Sequence, residues 1–253
     1  CKAYVVCPGG FGTLDELFDV LTLVDRGFLR THVYILNSNG FYAPLLRLIK
    51  ELRDKGFLSM SRIDLDRYVH VFDTLEGVRD HINALPVRIK TFHLDFLNIE
   101  NELLATQQRL DEIKKAVSVL GSGKAIQTTP RYRAAVRDLS YLFSSQGISV
   151  MARSVARIGR SVDAGVEKAK QEAPAGFEVG KFINLKTKTQ IGDPDPDIMV
   201  EYSHIFLEKI GLIKYSSAFV FFPGGFGTLS LLFEVITLIK TKKLAPVPLI
   251  LAG

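Results

Sequence analysis

Short apolar runs alternate along this chain with periodic ones, and glycine, proline and asparagine turns separate them. Ala3 to Cys7 reads as a strand, followed by Pro8-Gly9-Gly10. Leu17, Val20, Leu21 and Val24 then recur at the three- and four-residue spacing of a helix with one apolar face. Asp25-Arg26-Gly27 ends that helix, with Gly27 placed to take a left-handed cap. Residues 32–36 are the next strand and 37–40 a loop. Residues 43–55 are helical, with Leu45, Leu46, Leu48, Ile49 and Leu52 on the apolar face, and Gly56-Phe57 breaks them. A strand over 68–72 and a helix over about 75–82, capped by Asp73 or Thr74, complete this part. Strands alternating with helices at this spacing predict an α/β fold, a parallel sheet with helices on both faces.

Residues 86–115 change character. Leu97, Leu103, Gln107, Leu110 and Ile113 sit among charged and amide residues, which predicts a helical connector. Residues 117–120 start a new strand, ending in Gly121-Ser122-Gly123. A helix over about 132–144, a strand over 148–151, a helix over 161–173 and a third strand within 176–185 follow. The two prolines and three aspartates of 192–197 make a loop. Residues 202–215 read as one helix, leading to a strand over 218–222, a second glycine turn, its helix and the apolar 247–251.

That second turn is a copy of the first. Residues 223–229 repeat 8–14, Pro-Gly-Gly-Phe-Gly-Thr-Leu, without a change. Residues 1–38 align with 216–253 at an offset of 215 with no gap, and a little under half are identical. A repeat of this length means two homologous units in tandem rather than a solenoid. Residues 1–85 are expected to be the C-terminal half of a first domain, 86–115 the connector, and 116–253 the N-terminal two-thirds of a second. Each unit is then incomplete. The chain reads as a fragment of a longer protein; the other reading is that its two parts complement one another.

Composition narrows the function classes. A net charge of +5 and a pI of about 9.1 favour an anionic ligand, but no lysine-arginine run is dense enough for nucleic acid. Cys1 and Cys7 share one predicted strand and read as buried core thiols. The five histidines, His32, His70, His81, His93 and His204, show no ligand spacing, so no metal is expected. No stretch reads as a signal peptide and no apolar run reaches spanning length, so the expectation is a cytoplasmic protein away from membranes.

The chemistry points to the glycine turns. A glycine turn opening a helix aims unpaired N–H groups and the positive end of the helix dipole at one spot, which suits a phosphate. Gly9, Gly10 and Gly12 let the backbone approach an anion, and Thr13 adds a hydroxyl. Gly224, Gly225, Gly227 and Thr228 repeat the set. Glu16, expected on the first helical turn, puts a carboxylate near the same spot. Its counterpart in the second copy is Leu231. The plainer readings are a strand-to-helix turn without a ligand, and a carboxylate that favours a helix N-terminus. Gly121-Ser122-Gly123-Lys124 lacks the first glycine and the ending of a phosphate loop, and Ser122 has no visible base partner for nucleophilic work.

The run Pro-Gly-Gly-Phe-Gly-Thr-Leu-Asp-Glu-Leu-Phe at 8–18 resembles the signature of the LOG ("lonely guy") family of phosphoribohydrolases, often labelled possible lysine decarboxylases. Val119-Leu120-Gly121-Ser122 with Pro130-Arg131-Tyr132 and Ala134-Ala135 is similar to that family's opening strand and helix, and 205–229 and 33–83 resemble its later segments. The resemblance implies a modified Rossmann fold. It also implies cleavage of the N-glycosidic bond of a nucleoside 5′-monophosphate, without cofactor or metal, in a homo-oligomer or here an intramolecular pseudo-dimer. Glu16 becomes the catalytic residue, a carboxylate that could stabilise a ribosyl cation, hold a ribose hydroxyl or polarise water, and Ser122 and Lys209 join the glycines as nucleotide-binding positions. The departures lie in the second unit. Residues 151–157 stand where the family has a glycine run, so Arg153 or Arg157 could hold an anion only as a point charge, and a packed or exposed arginine is the plainer reading. Glu208 stands where the family has arginine. The second unit is therefore expected to be degenerate. The alternative is a non-catalytic nucleotide-sensing or structural protein throughout.

Overall fold

The computed structural model describes residues 3–58, 65–84, 96–111, 113, 115–122, 129–153, 158–187 and 196–253. In chain order the elements are β1 (Ala3–Val6), α1 (Phe11–Asp25), β2 (His32–Leu36), α2 (Ala43–Asp54), α3 (Leu65–Tyr68), β3 (Val69–Phe72) and α4 (Leu75–Ala84). Then come α5 (Phe96–Leu110), β4 (Ala116–Leu120), α6 (Pro130–Ser144), β5 (Ser149–Arg153), α7 (Ile158–Glu172) and β6 (Phe182–Thr187). The last are β7 (Ile198–Tyr202), α8 (Ile205–Tyr215), β8 (Ala218–Phe221), α9 (Phe226–Lys240) and β9 (Leu249–Leu251). The chain divides into two compact units, residues 1–93 with 225–244, and 94–224 with 245–253.

The first unit is built on a parallel three-stranded sheet in the order β1-β2-β3. Side chains alternate across β2, so its two faces enter different cores. Val33 and Ile35 pack with Leu17, Phe18, Leu21 and Val24 of α1, Leu52 of α2 and Phe226 of α9. Tyr34 and Leu36 pack with Val78 and Ile82 of α4. Both faces are thus covered, as the α/β pattern predicts. Helix α1 ends where the sequence indicates: Gly27 takes φ 76°, and the Phe28 and Leu29 amides return to the Leu23 carbonyl. The Thr74 hydroxyl accepts from the Gly77 amide at 3.2 Å and caps α4. The short α3 was not foreseen; the sequence reading began a strand at Tyr68.

The helix of the second turn, α9, belongs to this unit and lies on α1. Phe18 and Phe233 stack with centroids 5.4 Å apart, and the Ser230 hydroxyl donates to Asp19. Its end repeats that of α1. Lys242, at the position of Gly27, takes φ 59°, and the Lys243 and Leu244 amides return to the Leu238 carbonyl.

The second unit holds a parallel six-stranded sheet in the order β7-β6-β5-β4-β8-β9. One face packs Val119, Val150, Ala152, Phe182 and Val220 against Val136 of α6 and Ile158, Val162 and Val166 of α7. Helices α6 and α7 approach closely at Gly165, where an added Cβ would lie 2.3 Å from the Arg137 carbonyl oxygen. Thr129 caps α6, accepting from the Tyr132 amide at 3.1 Å, and Pro130 takes the first turn. The connector contains α5, whose Thr106 hydroxyl donates to the Tyr202 phenol at 3.1 Å; burial pushes that phenol up to about 12.

One reading of local structure is corrected here. Residues 202–215 are not one helix: β7 occupies 198–202 and α8 starts at Ile205. The third strand, expected within 176–185, begins inside that stretch at Phe182 and runs on to Thr187, after a turn in which Gly176 takes φ 82°. The stretches 86–95, 123–128, 154–157 and 188–195 lie outside the described residues, and with them His93, Lys124, Arg157 and most of the 192–197 loop.

Candidate functional site

The first glycine turn runs from the end of β1 into α1. Gly10 is the N-cap residue, extended at φ −93° and ψ −155°, and no side chain caps the helix. The first-turn amides are therefore left for a ligand or solvent. Each glycine meets a different neighbour. A Cβ at Gly9 would lie 2.1 Å from Thr13 Oγ1, so the threonine hydroxyl sits directly over the turn. A Cβ at Gly10 would meet nothing within 4 Å. Tyr42 braces the turn from beneath, its hydroxyl donating to the Cys7 carbonyl at 2.6 Å. Burial raises its pKa, and the Gly9 amide beside the phenol partly offsets that rise.

A cleft of about 420 Å³ opens beside this turn, lined by Cys7, Pro8, Gly12, Thr13 and Glu16, with Tyr4 and Val33 on the strand side. The structure thus brings Gly12, Thr13 and Glu16 to one place. Glu16 is exposed and lies on the second turn of α1 rather than the first, because the helix starts at Phe11. Cys7 is an exposed free thiol and not a core one; Cys1 lies outside the described residues.

The second turn has the same backbone and different surroundings. Gly225 is the N-cap residue of α9 at φ −85° and ψ −162°, again without a side-chain cap. Here a Cβ would lie 2.5 Å from the Phe57 carbonyl oxygen, so Gly225 is required by packing. Thr228 donates its amide to the Gly225 carbonyl at 3.0 Å. Leu231, at the position of Glu16, is fully buried, as is most of Phe226, while its counterpart Phe11 is exposed.

In the second unit, Gly121 and Ser122 end β4 beside β8 and Gly224. The Ser122 amide donates to the Pro223 carbonyl at 3.1 Å and to the Tyr132 hydroxyl at 3.0 Å. The two positions expected to depart from the family pattern meet in this unit. Arg153 Nε donates to Glu208 Oε1 at 2.6 Å, and both side chains are buried. An arginine at the end of β5 thus holds a glutamate on the first turn of α8. Of the two readings of Arg153, packing is the observed one. Lys209 follows Glu208 on α8 and is buried as well. Sequence reasoning noticed each departure but did not join them; their opposite charges were the available signal.

Sequence reasoning also missed a histidine cluster in the first unit. His32 Nδ1 lies 2.9 Å from His70 Nε2, and His81 Nδ1 lies 2.9 Å from the Tyr34 hydroxyl. Burial, then His81 and Arg67, holds His32 below the usual imidazole range; burial, then His81 and His32, does so for His70. Among the described residues no group of three or more His, Cys, Asp or Glu is arranged to hold a metal ion, and no helix is long and apolar enough to cross a membrane.

Comparison with known proteins adds a family. A family model described as "Possible lysine decarboxylase" matches residues 1–82 and 160–253. The cytokinin riboside 5′-monophosphate phosphoribohydrolase LOG7 of Arabidopsis thaliana is 44% identical over 57 residues, 22% of this chain and 26% of that protein. A probable enzyme of the same description, LOGL3 of Oryza sativa subsp. japonica, is 41% identical over 59 residues, 23% of this chain and 28% of that protein. The chain thus spans about a quarter of the length of these curated relatives. The X-ray structure of TM1055 aligns with 49% of this chain and 69% of its own at 20% identity, with a TM-score of 0.41.

Proposed function

The chain belongs to the family described as "Possible lysine decarboxylase", and we propose that its first glycine turn is a site for a nucleoside 5′-monophosphate. The phosphate sits over Gly9, Gly10 and Gly12, where the uncapped end of α1 offers amides and a favourable dipole, and the Thr13 hydroxyl adds a donor. Glu16 lines the adjoining cleft. Its carboxylate stabilises the ribosyl cation as the N-glycosidic bond breaks and water adds, which gives free base and ribose 5-phosphate. No cofactor is required for this step. The relatives' names, phosphoribohydrolases of a riboside 5′-monophosphate, agree with this assignment.

The observation that carries the reading is the convergence of Gly12, Thr13 and Glu16 on one cleft at an uncapped helix N-terminus. The second copy serves as a degenerate partner in an intramolecular pseudo-dimer. There Leu231 and the Arg153–Glu208 pair occupy the positions that catalysis would need, and Gly224, Gly225, Gly227, Thr228, Ser122 and Lys209 hold the fold. Chromatography of base released from AMP tests the proposal. The full-length protein should release base, and Glu16→Ala should lower that rate by about 100-fold or more. Binding of AMP with no release, unchanged by Glu16→Ala, would favour nucleotide sensing, the reading that the exposure of Glu16 allows.

A further inference from the structure

The first glycine turn opens with the peptide Cys7-Pro8. Proline has no amide hydrogen, so the Cys7 carbonyl is the hydrogen-bonding group of that peptide. Tyr42 takes it, donating its hydroxyl at 2.6 Å. The tyrosine is itself buried, in the core that Leu17 and Phe18 of α1 share with Val33 and Ile35 of β2. Burial raises the pKa of the phenol, so it keeps its proton and stays a donor through the neutral range.

Tyr42 is held in turn by the loop after β2. Its amide donates to Asn37 Oδ1 at 2.8 Å, and the Asn37 amide donates to the Phe72 carbonyl at 2.7 Å. The Ser38 hydroxyl donates to the Asp73 carbonyl at 3.0 Å. Asn39 and Gly40 take left-handed conformations within the loop, at φ 54° and 71°. Residues 37–42 thus tie the end of β3 to the end of β1, the two strands that flank β2. The second copy is held another way. Ala252, with no side-chain acceptor, stands at the position of Asn37, and the Ser122 amide of the second unit donates to the Pro223 carbonyl.

We infer that Tyr42 is a positioning residue for the phosphate: it fixes the Cys7-Pro8 peptide, and with it the glycine turn that presents the uncapped amides of α1, while Asn37 fixes Tyr42. The inference rests on the reading of this turn as a nucleotide site. Adjacent glycines have more backbone freedom to lose than other residues, and Gly10 faces open space. A turn ordered before the ligand arrives loses less of that freedom on binding. The phosphate lies away from the bond that breaks and is held alike in ground and transition states. Loosening its cradle therefore raises KM and leaves kcat.

Calorimetric titration of the chain with AMP tests the inference. Tyr42→Phe keeps the ring in the core and removes the hydroxyl. It should raise the Kd for AMP roughly 3–10-fold. In base release by the full-length protein it should raise KM by a similar factor and leave kcat within about twofold, whereas Glu16→Ala acts on kcat. Asn37→Ala should weaken AMP binding in the same way. A Tyr42→Phe chain that binds AMP as tightly as the parent would overturn the inference and leave the site standing. So would a variant in which kcat falls and KM does not. A parent chain that binds no AMP would overturn the site itself, and the inference with it. If Tyr42→Phe fails to fold, Asn37→Ala decides the matter, and an unchanged affinity there overturns the inference.

Discussion

Residues 8–14 and 223–229 are the same seven amino acids in the same strand-turn-helix conformation, yet they are held for different reasons. At the first turn Gly10 faces open space and Glu16 stands exposed in a cleft. At the second, Gly225 presses on the Phe57 carbonyl and Leu231 is fully buried. Gly10 leaves room in the first copy, and Gly225 allows close packing in the second. The motif alone therefore does not report a site; the residues around it do. At the second turn, packing against the Phe57 carbonyl requires a glycine at 225 whatever stands at 231.

The comparison is most easily broken at the second unit's ion pair. Removing one partner of a buried pair strands the other charge, so Glu208→Ala should cost about 3–5 kcal/mol in urea denaturation. Replacing both, as Arg153→Met with Glu208→Leu, should recover most of that loss, because the pair offsets its own desolvation rather than adding much stability. A double variant as unstable as the single one would assign Glu208 another essential contact.

The glycines give the next largest effect. Gly225→Ala should destabilise by about 1–3 kcal/mol, because backbone rather than a pliable side chain blocks the added Cβ. Gly10→Ala, at the equivalent position, should leave stability within about 0.5 kcal/mol and weaken nucleotide binding instead. Equal losses of stability at both positions would erase the distinction drawn between the turns. The helix ends offer a smaller contrast. Lys242 holds the left-handed conformation that Gly27 takes in the first copy, so Lys242→Gly should add about 1 kcal/mol.

The smallest effect is on pH dependence. His32 and His70 both titrate below about 6.5, their unfolded value, because burial and neighbouring positive charge oppose protonation. Their contribution to stability is present above that value and is lost as pH falls through the lowered folded values. The second copy carries Val247 where the first has His32. The first unit should therefore melt lower at pH 5.5 than at pH 7.5, and His32→Val should flatten that difference.

Much of this was legible in the chain. The strand-turn-helix units were readable because each is local: an apolar run, a glycine turn and a 3.6-residue periodicity. The end of α1 at Gly27, the span of β2 and the cap at Thr74 follow from single residues with strong conformational preferences. What was not legible depends on partners distant in sequence. The join of Arg153 to Glu208 spans 55 residues, and that of Ser230 to Asp19 spans 211. The three histidines share one face only because β2 and β3 pair in parallel register and α4 folds across them. Strand β7 was hidden because its apolar residues run directly into those of α8, with only Ser203 and His204 between them. Leu231 signalled a lost carboxylate in the sequence, but its full burial appears only once α9 is placed.

The claim that the first turn is the ligand site and the second is architecture is tested most directly by amide chemical shifts during titration with AMP. The account predicts saturable shifts at Gly9, Gly10, Gly12 and Thr13, with Gly224, Gly225, Gly227 and Thr228 unmoved. Shifts centred on the second turn, or equal shifts at both, would contradict it.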